Sequence, residues 1–247
     1  MILSRAVAVS LVAAVAGAGI AIAAQPRDQA TLGRALDEAV RSYDAAAATA
    51  VLSEARVARS SAGSPQLAAL HAAAALAVAE LLRVELEGLP QGEGEQRRLL
   101  GQRIDAAAED GLAALDGLPE TSEVQRVRAD LIATMIRSDF RAKKYEPAFR
   151  AAVDRALALD QRNARAWVSS AKPYLFAEPE QGGDVAEALR RLDRALELDP
   201  GLESARLLRA VAHEKMGNEA AAARDWQAAL RANPQCRPAL ERVGSHP

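Results

Sequence analysis

The segments ALELDP at Ala195–Pro200 and AALRANP at Ala228–Pro234 end in prolines 34 residues apart. Each reads as the last turns of an amphipathic helix stopped by a residue that can neither donate its backbone N–H nor continue the helix. Thirty-four residues is the period of a helical repeat. A unit of that length cannot bury its apolar face alone, so copies must stack into an extended scaffold.

Working backwards, Phe149, Val153, Ala156, Leu157 and Asp160 align with Ala188, Leu192, Ala195, Leu196 and Asp199, and these with Ala222, Trp226, Ala229, Leu230 and Asn233. The first offset is 39 residues and the second 34, so the middle unit carries five extra residues. Trp167, Ala171 and Tyr174 fall at the spacing of a first repeat helix, and Gly183 precedes the second, which places the insertion in Leu175–Gly182. Pro173, inside the first helix of that unit, removes a backbone hydrogen bond and is expected to kink or end it. Asp184 is positioned to cap the helix that follows.

This pattern resembles the tetratricopeptide repeat (TPR) family, whose W, L-G, Y, A, F, A and P positions are partly present from about Asp130 to Pro234. Ala188, Ala195, Ala222 and Ala229 hold its small positions. Phe149 stands at one small position, Gln161 at one proline position, and Arg206 and His213 at aromatic ones. The resemblance implies an all-α fold, a right-handed α-α superhelix of antiparallel helix pairs. Its units would lie at about 130–163, 164–202 and 203–236, followed by a short C-terminal capping helix. It also implies a concave face built from the first helix of each unit that receives peptides. Matching the units puts Thr134, Ser138, Arg141, Arg165, Lys172, Leu207, Val211 and Lys215 on that face. The family's carboxylate-clamp pattern of lysines and asparagines is not reproduced.

Residues 25–120 show helical periodicity without a convincing repeat match. Leu32, Leu36, Val40, Tyr43, Ala47 and Val51 mark one face of a long helix, and Leu67, Leu70, Ala74, Val78 and Leu81 a second. A third runs around Leu100, Ile104, Ala108 and Leu115. The tripeptides Gly88-Leu89-Pro90 and Gly117-Leu118-Pro119 read as stops built on a left-handed glycine. Ser122-Glu123-Val124-Gln125 fits a capping box opening a further helix. The region is expected to pack on the repeats as part of one solenoid.

At the N-terminus, Arg5 precedes an apolar run from Ala6 to Ala24, with Ala21-Ile22-Ala23 as an A-x-A site. This is the pattern of a secretory signal peptide over residues 1–24. It predicts an exported, periplasmic protein; the alternative is an anchor formed by residues 6–24. The lone cysteine, Cys236, excludes an internal disulfide framework and reads as a small residue near a turn.

A net charge of −2 leaves no nucleic-acid footprint. The histidines His71, His213 and His246 lack ligand spacing, and His213-Glu214 lacks the second histidine of a zinc-protease motif. Gln91-Gly92-Glu93-Gly94 follows no strand and is not a phosphate loop. No cofactor, metal or catalytic constellation is expected. MIRSDFRAKKYEPAFR, from Met135 to Arg150, interleaves cations with aromatics. It reads either as a docking surface for acidic groups or, preferably, as a helix with Phe140 and Phe149 in the core and solvated cations. Within the insertion, Phe176 is the better candidate for ligand contact and Tyr174 for packing.

The function expected is a non-catalytic scaffold or adaptor in the cell envelope that captures a protein or peptide. Arg141, Arg165, Lys172, Tyr174, Phe176, Leu207 and Lys215 form its candidate binding set. The alternative is a solute-binding component resembling the TPR proteins that accompany some transporters, with a pocket between helices.

Overall fold

A computed structural model describes residues 27–90 and 92–244; the apolar run Ala6–Ala24, its expected cleavage site and His246 lie outside them. The described residues form eleven α-helices and no strand. They pair in chain order: α1 (Gln29–Arg41) with α2 (Ala45–Ala62), α3 (Pro65–Glu87) with α4 (Gly94–Leu115), and α5 (Ser122–Thr134) with α6 (Asp139–Leu159). Then come α7 (Ala164–Phe176) with α8 (Val185–Leu198), α9 (Glu203–Lys215) with α10 (Glu219–Ala232), and the short α11 (Arg237–Gly244).

Most starts are written locally. Asp28, Asp44, Ser64, Thr121, Ser138, Asn163 and Asp184 each accept a backbone N–H three residues on, satisfying donors the helix itself leaves orphaned. The cap of α5 is Thr121, one residue before the expected box; Gln125 donates to Glu120 instead. The first long helix read from the sequence is two. Ser42 ends α1, and Tyr43 takes the left-handed C′ position with φ 55°. The Tyr43 and Asp44 amides return to Val40 and Ala39 in a Schellman arrangement usually given to glycine. Of the two glycine stops, Gly117 is left-handed at φ 81°, whereas Gly88 stays right-handed at φ −76°.

Stacking sets the curvature. Successive first helices α1, α3, α5, α7 and α9 pack on one another, while successive second helices do not do so to a comparable extent. Helices that touch on one side and splay on the other bend the stack, so the first helices line the inside of the curve. The small positions do their expected work: Ala188, Ala195 and Ala229 are fully buried and Ala222 nearly so. Helix α3 is long and apolar enough to cross a membrane, but most of it is buried against its neighbours.

The apolar core falls into two runs. One joins α1–α5 and continues into α6 through Leu112 and Tyr145. The other spans α7–α9 and continues into α10 and α11 through Val211. Between them, where α5 meets α7, the contacts are polar.

Pro173 does not end α7, which runs three residues further to Phe176. The chain then makes one 3₁₀ turn, Pro179–Gln181, and the Asp184 amide donates to the Tyr174 carbonyl at 2.9 Å, closing the insertion as a compact loop. Gly183 is obligatory there: a Cβ would sit 2.0 Å from the Ala177 carbonyl oxygen.

Candidate functional site on the inner face

The polar seam centres on Asp130 of α5, 4 % exposed. One carboxylate oxygen accepts from Lys172 Nζ at 2.7 Å and Ser169 Oγ at 2.8 Å, both on α7, and the other from Arg126 Nη1 at 2.7 Å. Arg126 turns its remaining edge to Glu123 in a two-pronged pair at 2.9 and 2.6 Å. Asn163 donates to Ser122 across the same junction. Burial alone would raise the Asp130 carboxyl; Lys172 and Arg126 outweigh it and hold it below the usual carboxylate range.

Glu80 faces this seam from α3. It is open to solvent but crowded by protein, the situation of a side chain inside a concave surface. That crowding pushes its carboxyl above the ordinary value; Lys172 pulls it back and Asp130 adds to the rise. The carboxylate has no hydrogen bond or ion pair among the described residues. Helices α3, α5 and α7 thus bring Glu80, Arg126, Asp130 and Lys172 into one mixed-charge cluster on the inner face.

The residues expected to bind a partner do not assemble there as a set. Lys172 is present but committed to Asp130. Arg141 lies in the first turn of α6, a second helix, where it pairs with Asp105 at 2.6 Å and donates to the Met135 carbonyl; Arg137 joins the same carboxylate at 2.8 Å. Both cations staple α4 to the α5–α6 turn. Of the other first-unit assignments, Thr134 is buried against the Leu131 carbonyl and Ser138 caps α6. Arg191 and Arg150 both lie over the Tyr174 ring, their guanidinium carbons 4.5 and 5.7 Å from its centroid. Leu207 packs on the core around Trp226 and Cys236. Arg165, Lys215 and Phe176 are exposed, with Arg165 and Phe176 at opposite ends of α7, about 16 Å apart at helical rise. Phe149 is buried as expected, but Phe140 is 79 % exposed, outside the core it was assigned to.

The register error has a local cause. Counting the first unit from Asp130 puts Thr134, Ser138 and Arg141 on the inner face. Counting from caps gives a different answer: Asp130 lies nine residues past Thr121, as Lys172 lies nine past Asn163.

Two open pockets lie elsewhere. One, of about 440 Å³, sits between the α3–α4 turn and Arg237 of α11. The other, of about 660 Å³, is lined by Arg56, Arg59, His71 and Asp110. In it, His71 Nε2 is 2.6 Å from Asp110 and Arg56 Nε donates to the same carboxylate at 3.0 Å. Burial resists, yet these bonds hold the Asp110 carboxyl below its usual range. No group of three or more potential metal ligands occurs among the described residues.

No family model matches the chain, and no curated protein matches it. Solved structures do. TTC0263, a thermophilic TPR protein of Thermus thermophilus, superposes with a TM-score of 0.56 at 17 % identity, covering 87 % of this chain and 97 % of that one. The fold is TPR-like. YrrB, described as a TPR protein with an unusual peptide-binding site, aligns over 88 % of this chain and 100 % of its own at a TM-score of 0.42 and 15 % identity. Of the three units expected from the sequence, the second would open on α7 at Ala164 and the third on α9 at Glu203. The first opens at Ser122 rather than near 130.

Proposed function

We propose that the protein is a non-catalytic interaction module that receives an extended polypeptide segment along its inner face, and that it works after export to the cell envelope. The observation that carries this reading is the placement of the Glu80–Asp130–Lys172 cluster. A mixed-charge surface is held rigidly on three neighbouring helices, inside a curve, with one carboxylate open to solvent. Such a surface orients a bound chain by polar contacts while the curve supplies area. The signal-like segment ending near Ala24 supports export.

Placing a photo-crosslinking amino acid at position 83, beside Glu80 on α3, and as a control at Val57, tests the binding reading with the Glu80 carboxylate in place; Val57 is 61 % exposed on the second helix α2. The inner-face probe should capture a defined protein, identified by mass spectrometry, that the outer probe does not. Equal capture at both positions would remove the inner face from consideration. Fractionation with the intact mass of the exported chain tests the rest: loss of residues 1–24 is expected, and retention in the cytoplasm would contradict it.

A further inference from the structure

The inner-face cluster has a definite charge account. Arg126 is divided between Asp130 and Glu123, Lys172 is held by Asp130, and Arg83, the other cation near Glu80, pairs with Glu87 at 3.1 Å. Every cation within electrostatic reach of Glu80 therefore has its own carboxylate. Glu80, Glu123 and Asp130 are three carboxylates against the two cations Arg126 and Lys172, since Arg83 and Glu87 cancel. Glu123 and Glu80 are both open to solvent, but Glu123 is held by Arg126, so the acceptor that a ligand can reach and that lacks a donor is Glu80.

We infer that the segment received by the inner groove presents a lysine or arginine side chain to Glu80. The inference rests on the inner-face reading above and adds the chemistry of the occupant. An incoming cation meets an acceptor that lacks a donor, in surroundings where protein has displaced part of the water, so the pair is worth more than one on an open surface. A carboxylate-bearing ligand meets the opposite case: the cations it would seek are saturated, and Glu80 repels it. A bare metal ion fits poorly as well, because Asp130 is already occupied by three donors and one remaining carboxylate cannot build a coordination shell of about six oxygens.

A library of random dodecapeptides displayed on phage, selected in parallel against the purified protein and its Glu80→Gln variant, tests this. Glu80 has no internal partner to lose, so the variant should fold, and a thermal melt checks that it does. Peptides enriched on the unmodified protein should carry Lys or Arg at a fixed position. Replacing that residue by Met should weaken binding, followed by fluorescence anisotropy, about tenfold on the unmodified protein and leave it unchanged on Glu80→Gln. Equal losses on both proteins, or selected peptides without a fixed cation, overturn the inference. If cation-free peptides still cross-link at position 83, the inner-face reading survives and only the Glu80 pairing fails. If neither protein enriches any peptide, both fail.

Discussion

Asp130 is the residue on which the middle of the molecule turns. It is buried, ionised and surrounded by three donors from two helices. Removing it leaves Lys172 without its carboxylate and Arg126 with Glu123 alone, the costly half of breaking a buried pair. Asp130→Ala should lower unfolding free energy in urea by about 3–5 kcal/mol, well beyond the effect of an exposed substitution such as Arg165→Ala. Glu80 has the opposite sign. Its carboxyl is raised in the fold, so folding is favoured while the group is protonated and disfavoured as pH rises through its folded value. Glu80→Gln should therefore match or exceed the unmodified melting temperature at pH 7, with any gain vanishing below about pH 4, the unperturbed carboxylate range. A lower melting temperature at neutral pH would mean that Glu80 has a structural partner. Cys236 is fully buried, and burial raises its thiol to about 11. Ellman's reagent at pH 8 should leave it unmodified in the native protein and react fully in guanidinium.

Between elements, shape decides more than charge. Gly111 of α4 lies where α3 and α5 converge: a Cβ would come within 2.8 Å of Leu131 and 2.9 Å of Ala75. Gly111→Ala should cost about 1–3 kcal/mol by overpacking, measured by denaturant melts, although alanine is the better helix former. The insertion after Pro173 follows the same logic, since Gly183 admits no side chain. Position and approximate extent of this loop are legible in the sequence because a five-residue change of period has to go somewhere. That Pro173 leaves the helix intact for three more residues is not legible, because the Tyr174–Asp184 bond that fastens the stretch exists only once the loop has closed. Likewise the break at Ser42–Asp44 hides in an unbroken apolar period, and only Asp44, a cap residue, hints at it.

Across the whole molecule, two apolar runs meet at polar seams. One is the Asp130 junction of α5 and α7. The other joins the ends of the solenoid: Tyr43 Oη donates to Glu203 at 2.9 Å and lies 3.6 Å from Cys236 Sγ, while Asn233 Nδ2 donates to the Arg41 carbonyl at 3.0 Å. A tyrosine held left-handed costs about 1–2 kcal/mol, and its ring and hydroxyl make contacts on both sides that offset this. Combining Tyr43→Phe with Asn233→Ala should open this closure, read as an increased radius of gyration in small-angle X-ray scattering with helicity retained; an unchanged radius would show that apolar packing alone closes the ring. Acid should loosen the whole assembly too. Asp110 and Asp130 both ionise at lower pH folded than unfolded, so the stability they confer is complete above about pH 5 and is lost as pH falls below about 4 through their folded values. Circular dichroism melts at pH 7 and pH 3 check this.

By itself the sequence determined the helical class, the stacking of pairs, the buried small positions and the insertion, because all of these follow from periodicity and caps within about forty residues of chain. Only the tertiary structure decided which charged residues are available. Arg141 and Lys172 look free in the sequence and are not, because their carboxylates stand on other helices 36 and 42 residues away. Glu80, in an apolar helix, is the member of the inner-face cluster left without a partner among the described residues. Pairing between distant charges depends on how helices are set side by side, and no local period records that.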